Sequence, residues 1–335
     1  MILLLVSFFA SAILCGAGLY ILSASLPRSF LAAAFNSRSN HSVPARQIGG
    51  LALIPAYLVI LLTLGLDLGI PIELAVCLSV ASALLWIIGV IDDRFELPVF
   101  LRFGSQFIAS GLVLYGLGPD FRLLSALLPH WFEATLIVIV LVAAINITNF
   151  MDGLDLMTVA GLGVPLAGVA ILTMMRLSGV ESGALAAIVA GGLLAFSFFN
   201  RPPASIFLGD SGSLPLGLLT GTALLLLARE THIAVALVLP LYYLLDAGTT
   251  IILRLIAKEN ILKAHSKHAY QVAKRSGWSV LKVVFHVGLL NVILIICAVA
   301  MLSFDHLLAQ VIFLLVAIVA VLILLLDFRG SFRKL

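Results

Sequence analysis

The sequence predicts an all-α polytopic membrane protein with about eleven transmembrane helices, an external N-terminus and a cytoplasmic C-terminus. Of its 335 residues, 62% are hydrophobic and only 10% are charged, whereas soluble domains carry about 25% charged residues. Long apolar stretches recur along the chain, and basic residues gather on one side of them. This composition excludes a nucleic-acid-binding protein, a secreted disulfide scaffold and a soluble Rossmann or barrel enzyme.

Eleven apolar stretches are predicted as spans. A helix of about 18 to 25 residues, rising about 1.5 Å per residue, crosses a hydrocarbon core of about 30 Å. The stretches are 2–25, 48–66, 72–91, 100–118, 131–149, 157–175, 183–199, 212–228, 232–256, 280–302 and 306–326. The first has no basic segment before it and continues uncharged to Arg28, so we expect a retained span and not a cleaved signal peptide. The connections are short, so a single membrane domain over residues 1–335 is expected.

The basic residues orient these spans. With the N-terminus outside, all but three of the 19 Lys and Arg residues fall on the inner side. The exceptions are Arg122, Arg176 and Arg229. Cytoplasmic connections of membrane proteins are enriched in Lys and Arg, so the pattern fixes the predicted topology. The net charge of +3 then reflects membrane orientation. The cysteines, Cys15, Cys77 and Cys297, lie far apart in apolar stretches and are interpreted as small hydrophobic side chains.

Polar side chains cluster at the predicted inner ends of the spans. The segments that carry them are GVIDDRFELPVFLR (89–102), NITNFMDGLD (146–155), NRPPASIFLGDSG (200–212) and AHSKHAYQ (264–271). They bring five aspartates and two histidines to one face. Acids in the outer connections, such as Asp67 and Asp120, stand singly and without polar companions.

Two of the acidic segments have structural as well as functional interpretations. Asp92 and Asp93 could be a solvated span end, although adjacent carboxylates at an apolar boundary repel and usually need a cation. Asn146, Asn149, Asp152 and Asp155 would form one polar stripe if the helix continued. Gly153 could instead break the helix and place the last two aspartates in a loop. In either case, four polar side chains at a span end favour a ligand or a polar partner.

The remaining polar residues are also open to two interpretations. Asp210 directly precedes an apolar span, where an Asp or Ser helix cap is expected for structural reasons alone. His265 and His268 have an i, i+3 spacing that on a helix suits metal ligation, but no Cys or carboxylate nearby completes a zinc site. Surrounded by Lys and Arg, these histidines are more typical of an anion-binding face.

Aspartates, amides, histidines and bases without a Cys or Ser nucleophile indicate phosphoryl chemistry. Carboxylate and amide oxygens suit Mg²⁺, which binds through one or two carboxylates together with substrate phosphates. Two phosphorylated reactants repel by about 4 kcal/mol for each pair of charges about 4 Å apart at an effective dielectric of 20, so a metal and basic groups are needed. The sequence contains no Walker A or kinase glycine loop, which argues against ATP held in a P-loop as the donor.

Five motifs together resemble the polyprenyl-phosphate N-acetylhexosamine-1-phosphate transferases. These are bacterial membrane enzymes that initiate O-antigen, teichoic acid and related glycans, and they are related to the translocase of peptidoglycan synthesis. The motifs, in the family's order, are HSVPARQIGG (41–50), DDRFELPVFLR (92–102), NITNFMDGLD (146–155), NRPPASIFLGDSGS (200–213) and HSKHAYQ (265–271). Two departures concern the sugar or nucleotide side. Leu156 replaces the usual glycine of Asp-Gly-Leu-Asp-Gly, and Ala45-Arg46-Gln47 breaks the common Pro-x-Pro-Arg.

The resemblance implies roles for particular residues. Asp210 would ligate Mg²⁺ (or Mn²⁺) with help from Asn149. Asp92 and Asp93 would act at the lipid phosphate, one as a base or positioning group. The other expected catalytic residues are Asp152, Asp155, His265 and His268, with the histidines on the diphosphate and the aspartates lining the nucleotide pocket. The expected substrate-binding residues are Arg46, Arg102, Asn200, Asp155 and Phe207, the last stacking on uracil.

The resemblance also implies a reaction. A sugar 1-phosphate would pass from a UDP-N-acetyl sugar to undecaprenyl phosphate at the cytoplasmic face of the bacterial inner membrane, releasing UMP and starting a glycan such as the O-antigen of lipopolysaccharide. We favour direct attack by the lipid phosphate over a double displacement through an aspartyl phosphoenzyme. The expected partners are the two substrates and the lipid bilayer, with no nucleic acid and with a homodimer as one alternative. The rival function is a secondary transporter, because intramembrane acids such as Asp246 can mark ion pathways.

Overall fold

The computed structural model describes residues 1–32, 45–95, 97–124, 127–260, 265–304 and 306–330. Over these residues the chain is helical, with only two isolated β-bridges in its connections. The helices are α1 (Ile2–Ser25), α2 (Gly49–Leu64), α3 (Ile72–Phe95), α4 (Val99–Leu117), α5 (His130–Met151), α6 (Val164–Met174), α7 (Val180–Asn200), α8 (Asp210–Glu230), α9 (Ile233–Val238), α10 (Leu241–Ile256), α11 (Ala269–Arg275), α12 (Val280–Ser303) and α13 (Leu307–Phe328).

Eight of the described helices are long and apolar enough to cross a membrane, judged by length and composition. They are α1, α3, α4, α5, α7, α8, α12 and α13. The all-α, multi-pass character predicted from the sequence is therefore confirmed. Helix α2 and the Val159–Met174 segment are shorter apolar helices. The count of eleven spans and the external N-terminus remain predictions.

The apolar stretch 232–256, predicted as one span, is instead divided into α9 and α10. Pro240 lies at the break, at the N-cap of α10. Proline has no backbone N–H and its ring clashes with the preceding turn, so it favours a helix start. Pro55 and Pro215 nevertheless lie inside α2 and α8, so a proline in an apolar stretch does not always end the helix. The stretch 157–175 also departs from one regular α-helix, since Val159–Gly163 is π-helical before α6 begins. Helix α11, only seven residues long, was not predicted.

Helix α8 forms the centre of the bundle. It packs against α2, α3, α5 and α7, and nearly all of its span is enclosed by protein. Its sequence is rich in Gly, Ala, Ser and Thr, which let neighbouring backbones approach closely without a hydrophobic driving force in lipid. Helices α1 and α13 lie at the periphery, where large apolar side chains are exposed as expected for contact with lipid. The N-terminus of α8 is thus a buried point on which several helix ends converge.

Candidate active site

The site is organised by the first turn of α8. Asp93, near the end of α3, accepts hydrogen bonds from the backbone N–H groups of Asp210 (2.8 Å) and Ser211 (3.1 Å). These are helix-start donors with no partner inside the helix, and a carboxylate is favoured there by the helix dipole. Asp210 is the first residue of α8 and Gly209 is the N-cap. The interpretation of Asp210 as the N-cap residue is therefore wrong, because Asp93 supplies the capping oxygens.

Close backbone contact holds α3 in this position. Gly89 lies one turn before Asp93, and a Cβ added to it would lie 2.4 Å from the backbone oxygen of Asp210 and 2.4 Å from the nitrogen of Ser211. Any side chain at residue 89 would push α3 away from α8. The glycine therefore brings the acidic end of α3 within hydrogen-bonding distance of α8.

Asp92 faces a different set of partners from its neighbour. It is 8% exposed, accepts a hydrogen bond from the Leu97 N–H at 2.5 Å and pairs with Arg102 at 3.0 Å. The same Arg102 nitrogen lies 3.8 Å from the Asp210 carboxylate. The alternative that Asp92 belongs to a solvated span end is therefore wrong. One guanidinium bridges two carboxylates that are far apart in sequence.

Asn149 joins this cluster from the last turn of α5. Its side-chain amide donates to Asp210 at 2.7 Å and to Ser213 at 2.9 Å. Its amide oxygen is a hard ligand atom of the kind that Mg²⁺ binds. The cluster thus contains three carboxylates, those of Asp92, Asp93 and Asp210, and the guanidinium of Arg102. Its net charge is about −2 when all four groups are ionised.

That charge and donor set fits a divalent hard cation such as Mg²⁺. Asp210 supplies a carboxylate and Asn149 an amide oxygen, and substrate phosphates and water can complete the coordination. No group of three or more His, Cys, Asp and Glu side chains in the described part of the chain is already arranged around a common metal position.

A cavity of about 190 Å³ adjoins the cluster. Five of the residues predicted for the site line it, namely Asn149, Asp152, Asn200, Phe207 and Asp210. The remaining wall comes from Gln47, Gly153, Leu154, Leu208, Gly209 and Ser213. Segments from α5, α7, α8 and the chain before α2 thus meet around one polar pocket.

The two aspartates that follow α5 lie in a loop. Helix α5 ends at Met151, so the loop alternative is confirmed and the continuous polar stripe is wrong. Asp152 accepts a hydrogen bond from the Thr158 hydroxyl. Asp155 is buried and accepts from the Ala204 N–H at 3.1 Å, which fastens this loop to the one before α8. Asp155 therefore does not line the pocket itself but holds together the two loops that do.

Asn200 braces the same two loops. Its side chain accepts from the Leu156 N–H at 2.6 Å and donates to the Ile206 carbonyl at 2.8 Å. Leu156 has a φ of 62°, in the left-handed region that favours glycine. Leu156, which stands where the resembling family usually has glycine, therefore has a backbone conformation that suits glycine better than leucine.

Arg46 lies in a strand-like contact beside the pocket wall. Its guanidinium donates to the carbonyls of Ser23 and Leu26, each at 3.1 Å, at the C-terminal end of α1. Its backbone carbonyl accepts from the Phe207 N–H at 2.8 Å. The structure thus gives the Arg46 side chain a helix-end partner, and its role toward substrate stays a prediction. Residues 41–44 of the first motif lie outside the described residues.

The two histidines precede α11 and do not share a helix face. His268 is the N-cap of α11, and its ring centroid lies 5.0 Å from that of His265. His268 stacks near Phe150 of α5 at 6.4 Å, and the Tyr270 hydroxyl donates to the Phe150 carbonyl at 3.0 Å. Helix α11 is therefore docked on the end of α5, beside the residues that line the pocket.

His265 has a perturbed protonation equilibrium. Burial, and after it the positive charges of His268, Arg254 and Lys267, lower the pKa of His265 from 6.5 to about 4. The ring is therefore neutral near pH 7. A neutral imidazole can still donate one N–H to a phosphate oxygen.

Sequence reasoning missed several residues of the site. Ser213 and Gln47 line the pocket, and Tyr270 docks α11. Ser213 had a signal, since it lies one helical turn after Asp210 and so on the same face of α8. Asn146, which the polar stripe grouped with Asn149, donates to Gln106 of α4 at 2.6 Å.

The fold and the site define a multi-pass membrane protein with an acidic, amide-containing cluster at one end of its helices. Residues 75–228 match the model of the family described as Glycosyl transferase family 4. This match covers α3 to α8 and includes Asp92, Asp93, Asn149 and Asp210.

Relatives with curated names show the same likeness. A probable undecaprenyl-phosphate N-acetylglucosaminyl 1-phosphate transferase of Bacillus subtilis is 31% identical over 204 residues, which are 58% of this chain and 56% of that protein. A phospho-N-acetylmuramoyl-pentapeptide-transferase of Chlamydia muridarum is 33% identical over 141 residues, 40% of each chain. Another from Thermoanaerobacter sp. is 34% identical over 161 residues, 46% of this chain and 48% of that protein. The chain thus matches about half the length of these relatives. The predicted family resemblance is confirmed.

Proposed function

We propose that this protein transfers a sugar 1-phosphate from a UDP-N-acetyl sugar to undecaprenyl phosphate, releasing UMP. The observation that carries the proposal is the cluster of Asp92, Arg102, Asn149 and Asp210 beside a polar pocket. The names of the relatives, which concern a polyprenyl phosphate and phospho-sugars, support it. None of the comparisons supports the transporter alternative.

The proposed cofactor is Mg²⁺, with Mn²⁺ as a substitute, held by Asp210 and Asn149. When bound, the metal would offset the negative charge of the two phosphorylated substrates and of the departing UMP. The chain's own cation at the same place is Arg102, which lies between Asp92 and Asp210. A phosphate entering the cluster would find this guanidinium already oriented by carboxylates.

The proposed chemical step is a direct displacement. A non-bridging oxygen of the lipid phosphate attacks the β-phosphorus of the donor. The bond from that phosphorus to the bridging oxygen breaks, and the bridging oxygen leaves with UMP. A phosphate monoester has its second pKa near 6, so at pH 7 the attacking group is largely a dianion and no base is required to deprotonate it. Catalysis is then mainly positioning and charge stabilisation.

The geometry argues against a phosphoenzyme on Asp93. Both of its carboxylate oxygens accept backbone N–H groups of α8. An oxygen that holds such a hydrogen bond is a weakened nucleophile, and covalent attack would uncap the helix that carries Asp210. Asp92 is the remaining candidate, and its pairing with Arg102 suits a group that positions the acceptor phosphate.

An apolar groove offers a place for the polyprenyl tail. A cavity of about 400 Å³ lies between α5, α8, α9 and α10, with a wall that is almost wholly aliphatic. Ile147 and Thr148 line its end, next in sequence to Asn149. A lipid whose tail lies in this groove could therefore bring its phosphate to the acidic cluster.

We further propose that the cluster faces the cytoplasm of a bacterial inner membrane and that the product starts a glycan such as the O-antigen of lipopolysaccharide. The basic residues near the cluster support this orientation through the positive-inside rule. In an otherwise cysteine-free protein, Asp120→Cys should react with an impermeant thiol reagent on intact cells, and Arg94→Cys should react only after lysis. External labelling of residue 94 would contradict the orientation.

The proposed reaction is tested with purified protein. Undecaprenyl phosphate, Mg²⁺ and a panel of UDP sugars are supplied, and UMP release and the lipid-linked product are both measured. We expect UMP release with at least one UDP-N-acetyl sugar, only when the lipid phosphate and the metal are both present. Release of UMP without lipid product, or no release with any donor, would contradict the proposal.

A further inference from the structure

A second carboxylate lies outside the cluster, on α10. Asp246 is fully buried, at 0% exposure. It accepts hydrogen bonds from the hydroxyl groups of Tyr242 at 3.2 Å and Thr250 at 3.3 Å, both one turn away on the same helix. It also accepts from the backbone N–H of Ala269 at 2.8 Å. Ala269 is the first residue of α11, so Asp246 fastens the start of that helix to α10.

A buried carboxylate bound only by neutral donors is costly, because burial removes the water that stabilises its charge. In the described part of the chain, the one cationic or potentially cationic group within 4.0 Å of Asp246 is His268. Its Nδ1 lies 3.7 Å from Asp246 Oδ1. His268 is 2% exposed, and its Nδ1 has no hydrogen-bond partner among the described residues. The pair is within ion-pair distance but is longer than a direct hydrogen bond, and His268 is the described group best placed to offset the charge of Asp246.

The surroundings hold His268 in this orientation. Its ring stacks near those of Phe150 at 6.4 Å and Tyr270 at 6.0 Å, with interplanar angles of 28° and 18°. With the ring buried and stacked in this way, its remaining variable is the nitrogen that carries the proton. A carboxylate facing Nδ1 favours a proton there, which leaves Nε2 as the atom directed away from Asp246.

The support for Asp246 extends to the C-terminal helix. Arg329, at the end of α13, donates to the hydroxyl groups of Thr249 at 3.3 Å and Thr250 at 3.1 Å. Thr250 in turn donates to Asp246. The carboxylate thus lies in a network that ties α10, α11 and α13 together.

We infer that Asp246 is a positioning residue for the transfer reaction, which acts by fixing the tautomer and orientation of His268 toward the donor diphosphate. This inference rests on the proposed function for the identity of the ligand. It also gives the intramembrane acid a role within the site and not in an ion pathway. Loss of a carboxylate that orients a functional histidine typically lowers activity by about 10- to 100-fold in metal sites, and we expect a loss of similar size here.

A double-mutant cycle separates this role from general destabilisation. Asp246→Asn should lower kcat/KM for the UDP sugar by at least about 10-fold in the wild-type background. In the His268→Ala background the same change should have little further effect, because the group through which Asp246 acts is gone. Glu230→Gln is the matched control, since Glu230 accepts from the Ser182 N–H at 3.1 Å at the start of α7. It should alter thermal stability alone. Equal losses in both backgrounds would overturn the inference.

A second measurement does not depend on activity. In ¹⁵N-histidine spectra of the solubilised protein, the His268 signals are assigned by their loss in His268→Ala. The wild-type ring should carry a proton on Nδ1, and Asp246→Asn should shift the population toward the tautomer protonated on Nε2 only. A wild-type ring protonated on Nε2 only would overturn the inference even if Asp246→Asn fails to fold. If wild-type protein releases no UMP while the tautomer shifts as expected, the proposed reaction fails and the positioning contact stands.

Discussion

Asp93 has two competing roles that a single substitution separates. In the structure both carboxylate oxygens accept N–H groups from the first turn of α8, at 2.8 and 3.1 Å. The alternative role is chemical, as a general base or nucleophile, and such a role does not require these two hydrogen bonds. Asp93→Asn keeps the size of the side chain and one acceptor oxygen, but it turns the other acceptor into an NH₂ group that faces a backbone donor.

The energetic effect can be estimated from these two bonds. Hydrogen bonds to a charged acceptor contribute about 1.5–3 kcal/mol each, and a neutral one contributes about 1 kcal/mol. Exchange of two charged bonds for one neutral bond should therefore lower the free energy of unfolding by about 2–5 kcal/mol. At roughly 2 °C per kcal/mol, the midpoint of thermal unfolding should fall by roughly 4–10 °C.

The assay is thermal unfolding in detergent, measured beside UMP release. Asp93→Asn should lose stability and activity together, because α8 also carries Asp210. Glu181→Gln is the control, since Glu181 lies in the first turn of α7 and accepts no hydrogen bond from the described residues. It should leave the midpoint nearly unchanged. An Asp93→Asn protein with wild-type stability and no activity would refute the capping role and favour a chemical one.

Two further predictions follow from the loop around the histidines. Gly153→Ala should lower the free energy of unfolding by about 1–3 kcal/mol, because the added Cβ would lie 2.3 Å from the Tyr270 hydroxyl. Gly104→Ala is the control and should not lower it, because its added Cβ meets nothing within 4 Å. Equal midpoints of thermal unfolding for the two variants would contradict this prediction. Because the folded-state pKa of His265 is about 4, against a usual 6.5, its stabilising contribution is complete above pH 6.5 and is lost as the pH falls toward 4. The wild-type midpoint should therefore fall more steeply over that window than that of His265→Gln, and parallel curves would contradict the lowered pKa.

Local patterns in the sequence were sufficient to predict the long apolar helices. Uncharged apolar stretches locate the membrane helices, because a helix in lipid needs apolar side chains, and the acidic residues of the site lie at the ends of these stretches. Pro240 is a helix-breaking signal inside the stretch 232–256, but Pro55 and Pro215 lie inside continuous helices, so the division into α9 and α10 did not follow from the proline alone. Helix α11 is too short to leave a periodic signal, so its existence could not be predicted from hydropathy.

The partners of individual side chains could not be predicted in this way. Asp93 contacts Asp210 across 117 residues, and Asn149 contacts it across 61. The family resemblance assigned Asp210 and Asn149 to one metal site, and they do lie in contact. The division of labour between Asp92 and Asp93 depends on the direction of each side chain on α3. Successive residues on a helix point about 100° apart, and only the packing of α3 on α8 decides which one caps the helix.

The most direct test of the account concerns Asp210, the proposed metal ligand, in a titration of UMP release against Mg²⁺. Asp210→Asn removes one of three neighbouring carboxylates, so the protein should fold with a midpoint close to wild type. Turnover should fall by at least about 100-fold, in line with the several kcal/mol that a metal contributes to phosphoryl transfer. An Asp210→Asn enzyme with wild-type turnover and an unchanged Mg²⁺ requirement would contradict the assignment of this cluster as the metal-dependent transfer site.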